Sequence, residues 1–380
     1  MKIKNIEKAA ERIKKAAQNK EPIILYGDSD LDGISSVVIL EEAIKSLGGN
    51  IVSVFFPDRE NDGYGINIKA LELLKDKAPA LFITMDLGIG NVKEVEVAKK
   101  MGFEIIIIDH HEPLDGVPDV EIIVDPKQRE DSYPFKGLAN VGITFKVCQE
   151  LLGKDISKKL EDSFSELAAL GTIADMVPQI DENQEIIEQG LRSIKNTFRP
   201  GLRAFLDILG DGAVFDSHLQ KIISALNASE SVTFNNESYL LLTSSLKSEC
   251  MDLAQKLLDK NSYKQQQVKN IVNEIERRVL QKPDEPIIFE GDPAWKLTLA
   301  GSVASIICQK YEKPAFIFKK MDKESCGSVR NPKGTDSVEA MKTCHKMLMT
   351  YGGHKLASGF RIKNENLEEF KKCLTDYFKK

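Results

Sequence analysis

The segment Ile105–His111, IIIIDHH, restricts the fold more than any other stretch of this 380-residue chain. Four consecutive isoleucines have no polar face, so they suit a strand buried on both sides, as in a parallel sheet covered by helices. The triplet Asp109-His110-His111 then falls at the C-terminal edge of that strand, where open α/β sheets hold their ligands. Two of the chain's five histidines sit there side by side. A metal or phosphate site is the reading these residues support.

The same construction recurs. Ile23–Tyr26 runs into Gly27-Asp28-Ser29-Asp30-Leu31-Asp32-Gly33, and Leu81–Met85 runs into Asp86-Leu87-Gly88. Ala168–Pro178, AALGTIADMVP, reads as a helix that delivers Asp175 at a proline-marked stop. Asp28, Asp30, Asp32, Asp86, Asp109 and Asp175, with His110 and His111, offer more ligands than one ion needs. Mixed carboxylate and imidazole donors suit Mn²⁺, Fe²⁺ or Zn²⁺, whereas an all-oxygen set suits Mg²⁺ or Ca²⁺. Two ions bridged by a shared carboxylate are the economical arrangement, with Asp86 as the bridge. The Asp28–Gly33 string resembles the opening of a calcium loop, but the twelfth position is Ile39 rather than glutamate. An Asx-turn or helix N-cap explains any single acid after a strand; coincidence at four element ends favours a site.

Strand and helix signals alternate to about residue 195, with strands near 23–26, 51–55, 81–85, 105–108 and 122–124, which predicts a doubly wound parallel sheet. The β signal then disappears, and residues 240–280 read as a polar helix. The cluster Lys282-Pro283-Asp284-Glu285-Pro286 ends it. Strands resume at 287–290, 315–318 and 359–362. The expected organisation is an α/β fold in three parts: 1–195 as a metal-binding catalytic domain, 196–282 as a helical connector and 283–380 as a smaller substrate-binding α/β domain. In the last part, Cys326–Arg330 and Tyr351–Gly359 are glycine-punctuated places where backbone N–H groups could approach an anion closely, with Arg330 and His354 as charged donors; a Gly-Gly turn before a strand is the architectural reading of Gly352-Gly353.

The formal net charge is −6, but it is unevenly spread: Lys and Arg number 35 against 45 acids over 1–282, and 17 against 13 over 283–380. An acidic metal-holding part and a basic phosphate-holding part suit a phosphoester substrate. The six cysteines (Cys148, Cys250, Cys308, Cys326, Cys344 and Cys373) show no CxxC pairing, so a reducing compartment without disulfides or structural zinc is expected. The first 20 residues form a basic amphipathic pattern without a signal-peptide core. No run reaches the length of a membrane span, and a cytoplasmic protein is expected.

These motifs together resemble the DHH phosphoesterase family, and within it the RecJ-like single-strand nucleases. GDSDLDGISS (27–36), MDLGI (85–89), IIDHHEP (107–113) and LGTIADMVP (170–178) are similar to its four motifs, and SYPFKGLANVGITFKV (132–147) to the segment after the third. GSVR (327–330) and GGHKLASGF (352–360) resemble the DHH-associated C-terminal domain. The resemblance implies that Asp30, Asp32, Asp86, His110 and Asp175 ligate two divalent ions, Mn²⁺ before Mg²⁺ or Co²⁺, with Asp28 as a further ligand. It implies that Asp109 orients a neighbouring imidazole, that His111 touches the scissile phosphate, and that Arg330, Gly352, Gly353 and His354 hold substrate. Tyr26 stands where many relatives carry histidine, and Leu219–Ser229 departs from the Arg- and Gly-containing pattern of relatives. With no OB-fold after residue 380, weaker strand grip is expected.

The implied activity is phosphodiester hydrolysis by water activated between two metals, without a side-chain nucleophile. Ser29, Ser35 and Ser36 lack a base partner and an elbow, and Gly27–Gly33 lacks a Walker ending. The leading expectation is a metal-dependent exonuclease on single-stranded DNA or RNA, serving DNA repair and able to dock on a replication or repair protein. One alternative is a phosphodiesterase or phosphatase acting on short oligonucleotides, cyclic dinucleotides or bisphosphorylated nucleosides. The other is a non-catalytic replication scaffold, which the intact acids and histidines disfavour.

Overall fold

A computed structural model describes residues 1–59, 63–113, 116–210, 215–232 and 235–379. Two compact units divide between Asn261 and Ser262. The first begins α1 (Ile6–Gln18), β1 (Pro22–Gly27), α2 (Leu31–Ser46), β2 (Asn50–Phe55), α3 (Ile68–Leu74), β3 (Ala80–Met85), α4 (Val92–Lys100), β4 (Phe103–Ile108) and β5 (Ile122–Val124). It continues as helices: α5 (Asn140–Leu152), α6 (Lys158–Ala174), α7 (Asp181–Ile194), α8 (Pro200–Leu209) and α9 (Phe215–Leu226). A short ribbon, β6 (Ser231–Val232) and β7 (Asn235–Asn236), precedes α10 (Glu237–Thr243) and the 33-residue α11 (Lys247–Val279), which runs past the division.

The sheet of this unit has the order β2-β1-β3-β4-β5 and is parallel throughout. Side chains alternate between two cores. Ile106 and Ile108 pack with Ile23, Leu25 and residues of α1, α2, α5 and α6. Ile105 and Ile107 pack on the opposite face with Ile24, Tyr26 and residues of α3 and α4. The unbroken isoleucine run is therefore a strand covered on both faces. Because α2 lies on one face and α3 and α4 on the other, the chain reverses its winding beside β1 and β3. A crevice forms at the carboxyl ends of such strands.

The second unit contains β8 (Ile288–Asp292), α12 (Leu297–Tyr311), β9 (Ala315–Lys320), β10 (Glu324–Arg330), α13 (Ser337–Thr343), β11 (Leu348–His354), β12 (Ala357–Lys363) and α14 (Leu367–Phe378). Its sheet order is β11-β12-β10-β9-β8, with only β8 and β9 parallel. α12 covers one face around Ile288, Ala315 and Ile317, and α13 and α14 cover the other around Phe289, Phe316 and Phe360.

Two expectations are corrected here. Gly352-Gly353 lies inside strand β11 rather than in a turn before a strand, and 326–330 lies in strand β10. Gly327 is required by packing, since a Cβ there would lie 2.5 Å from Phe318 Cβ and 2.7 Å from the Ile317 carbonyl oxygen. Cys344, at the end of α13, is joined to Cys373 of α14 by a disulfide; the two helices bring together cysteines 29 positions apart, which spacing alone could not reveal. Among the described residues, no helix is long and apolar enough to cross a membrane.

Candidate metal centre

Three strand ends deliver the acids by extending the sheet's own hydrogen bonding. The Asp28 N–H donates to the Met85 carbonyl (3.1 Å), Asp86 N–H to Ile108 (3.0 Å) and Asp109 N–H to Val124 (3.1 Å). Asp86 is held at φ 64°, a left-handed conformation that a non-glycine residue keeps only when its surroundings over-determine it. Asp175 caps the C-terminus of α6, as its motif suggested.

Asp86, His110 and Asp175 converge. His110 Nε2 lies 3.3 Å from Asp86 Oδ1 and 3.7 Å from Asp175 Oδ2. All three atoms are buried and, among the described residues, have no hydrogen-bond partner. His110 Nδ1 lies 3.2 Å from the Leu138 carbonyl, which fixes Nδ1 as the donor and leaves the Nε2 lone pair facing the carboxylates. Burial, then His111, holds His110 well below its ordinary pKa, so the ring is neutral. Burial, then the neighbouring Asp32, pushes Asp86 up, and burial with Asp30 pushes Asp175 up to about 7. Converging carboxylates opposite a neutral imidazole could hold a cation.

A second group shares Asp86: ligand atoms of Asp28, Asp30 and Asp86 lie within 4.8 Å of one another, as do those of Asp32, His110 and Asp175. Asp30 is also the N-cap of α2. Asp32 spends lone pairs on the start of α5, accepting the Asn140 N–H at 2.8 Å and the Val141 N–H at 2.7 Å. Tyr26 faces the core behind, stacked on Phe55, and its hydroxyl contacts the Gly65 carbonyl and Asn67.

Asp109 turns inward. It accepts the N–H groups of Ile89 (2.9 Å), His110 (2.7 Å) and His111 (3.2 Å), and its Oδ1 lies 2.8 Å from His111 Nδ1. Burial disfavours its charge, but His111 and these donors outweigh burial and bring Asp109 down to about 2. Burial in turn lowers His111, and Asp109 more than restores it, leaving the ring raised above its ordinary value.

Three residues escaped the sequence reading. Arg59, in the segment after β2, donates from Nε to Asp28 Oδ1 (2.8 Å) and from Nη2 to Asp28 Oδ2 and Asp30 Oδ2 (2.9 Å to the latter). Tyr64 donates its hydroxyl to the Asp86 carbonyl (2.9 Å) and sits 3.1 Å from His111 Nδ1. Asp125 follows β5 on the same sheet edge, with one carboxylate oxygen buried and unpartnered; burial pushes it up to about 8. The strand-then-acid rule applied to IIVD (122–125) would have found Asp125, but no periodicity marks Arg59 or Tyr64.

In the second unit, β10, β12 and β11 bring Arg330, Ala357 and His354 into one cross-strand row, and Ser328, Gly359 and Gly352 into the next. Gly353 pairs with Ser358 and has φ +123°. The Arg330 guanidinium is half-buried, with one nitrogen donating to the Val329 carbonyl at 2.9 Å. The side chain of His354 lies outside the described residues.

Residues 22–172 match the N-terminal domain of the DHH family and residues 284–380 match the DHHA1 domain. The chain thus carries a DHH-family N-terminal domain followed by a DHHA1 domain. It is similar to the single-stranded-DNA-specific exonuclease RecJ of Bacillus subtilis (strain 168), with 35% identity over 98% of this chain and 48% of that one. It thus spans about half the length of that relative. A crystal structure of exonuclease RecJ bound to manganese is 26% identical, covering 100% of this chain and 96% of that one with a TM-score of 0.82. RecJ in complex with Mn²⁺ from Thermus thermophilus is 25% identical, covering 100% and 55% with a TM-score of 0.85.

Proposed function

We propose that the chain is a RecJ-like exonuclease that hydrolyses single-stranded DNA using two divalent cations, Mn²⁺ foremost. The observation that carries this is the convergence of three buried, unpartnered ligand atoms, Asp86 Oδ1, His110 Nε2 and Asp175 Oδ2, in a fold shared with RecJ bound to manganese. Asp86 would serve both ions, because it belongs to the group with His110 and His111 and to the group with Asp28 and Asp30. His110 and Asp175, with Asp32, would hold one ion, and Asp28 and Asp30 the other. When bound, such a pair supplies water activation and neutralises phosphoryl oxygens.

The chain's own residues do the rest. Asp109 aims the His111 ring and favours its protonated form, in which it would donate to a phosphoryl oxygen. Tyr64 fixes the face of that ring. Arg330, His354 and the glycine row of β11 and β12 would take the substrate's phosphates, since side-chain-poor backbone lets a polyanion approach closely. On this reading residues 1–195 would be the catalytic domain, 196–282 a helical connector and 283–380 the substrate-binding domain.

End-labelled single strands from two to about forty nucleotides, incubated in Mn²⁺, test the reading, with Asp86→Ala as control. Stepwise mononucleotide release from long strands at one end, absent in Asp86→Ala, is expected. Turnover confined to strands of five or fewer would replace the nuclease with a scavenger of short oligonucleotides. Full activity in Asp86→Ala would refute the bridge.

A further inference from the structure

We propose that Asn140 is a positioning residue that holds Asp86 and Asp32 in register for the two ions; the proposal rests on the metal-dependent reading above. Asn140 opens α5 and is completely buried. With the side-chain amide oriented so that both its ends are satisfied, its oxygen accepts the Asp86 N–H at 2.9 Å and the Ser36 hydroxyl at 2.9 Å, and its nitrogen donates to the Ile108 carbonyl at 3.0 Å. Its backbone N–H donates to Asp32 Oδ2 at 2.8 Å. One residue therefore ties together the end of β3, the end of β4 and α2. Those elements present Asp86, the Asp109–His111 triplet and Asp32.

The placement matters because Asp86 is the one acid of the site in the left-handed region, at φ 64°. Its N–H is fixed twice, by the Ile108 carbonyl at 3.0 Å and by the Asn140 amide. A strained residue persists only under such over-determination. Without the Asn140 amide, the Asp86 peptide can rotate toward a relaxed conformation, which swings its carboxylate away from His110 Nε2. A carboxamide in this pocket has its buried donor and acceptor both used, and such closed networks fix geometry. Ser36 adds a hold from α2, so the clamp spans the two motifs that supply most of the acids.

A merely structural asparagine would cost stability without selectively changing the metal site, so the test reads metal affinity and local exchange. Mn²⁺ binding is measured by titration calorimetry on the wild type, on Asn140→Ala and on Ile13→Ala, a destabilised control in the α1 core. Hydrogen exchange at the Asp86 amide is measured in chelator on the same three proteins. Asn140→Ala is expected to weaken Mn²⁺ binding by about ten-fold or more, the usual effect of removing a group that orients a ligand. It is also expected to speed exchange at Asp86 beyond the control. Asn140→Ser, read in the same assays, serves if the alanine variant does not fold. Affinity and exchange indistinguishable from the control overturn the proposal while leaving the metal reading intact. A wild type that binds no Mn²⁺ overturns that reading and the role of Asn140 with it, whatever the exchange shows.

Discussion

Asp175→Asn should stabilise the chelated protein at pH 8, and the size of the gain follows from the site. Burial and the neighbouring Asp30 raise Asp175 from 3.8 to about 7. In the unfolded chain the group ionises first, so the native state holds the proton longer and stability falls as pH rises from about 4 to about 7. Three units at about 1.4 kcal/mol each give a ceiling of about 4 kcal/mol. The Asp175 side chain is 23% exposed, so solvent screening lowers this to about 2 kcal/mol. For a unit of this size that is a rise of about 5 °C in melting temperature.

The assay is calorimetric melting of wild type and Asp175→Asn in excess chelator at pH 8 and near pH 4. Asparagine keeps the shape and the backbone bond to Gly171 (2.9 Å), so only the charge is removed. A gain at pH 8 that vanishes near pH 4 is expected. Excess Mn²⁺ should reverse the order, because ligand binding stabilises the protein that binds it. A variant that melts at or below wild type in chelator at pH 8, or whose gain is independent of pH, would refute the reasoning.

Arg59→Ala leaves the buried Asp28 without its counter-charge, so chelated stability should drop by about 1–3 kcal/mol; calorimetric Mn²⁺ affinity should rise, since no guanidinium competes for Asp28 and Asp30. Arg330→Ala should raise KM on labelled strands about ten-fold, the worth of one charge-assisted hydrogen bond, while kcat changes little. Gly327→Ala drives a methyl into Phe318 and the Ile317 carbonyl, and should cost about 1–3 kcal/mol in denaturant unfolding of the second unit.

The parts of the centre legible in the sequence are those carried by strands and helix ends. The IIII run alternates between two apolar cores, and no other element accommodates it, so the position of Asp109 and His110 followed directly. Asp28, Asp86 and Asp175 likewise sit where an apolar element stops. Arg59 and Tyr64 were invisible because they come from loop sequence, where no period marks which side chain turns inward. The β10 and β11 glycines misled for a different reason. Glycine marks both turns and close packing, and the Phe318, Ile317 and Phe360 contacts that decide for packing at Gly327 arise only once the sheet has formed.

The acids are not merely near one another; each is held by backbone from a different element. Asp86 is held by Ile108 of β4, Asp28 by Met85 of β3, and Asp32 by the first two residues of α5. The centre therefore exists only when β1, β3, β4, α2 and α5 are docked together. Asp28, Asp32, Asp86 and Asp109 are each almost fully buried, and like charges gathered this closely oppose that docking. Arg59 offsets the opposition at Asp28 and Asp30; among the described residues, Asp86 and Asp175 have no comparable counter-charge within ion-pair distance other than the neutral His110 and the more distant His111. Cations that bind there would supply the missing charge, so folding of the first unit and metal affinity become two readings of one equilibrium.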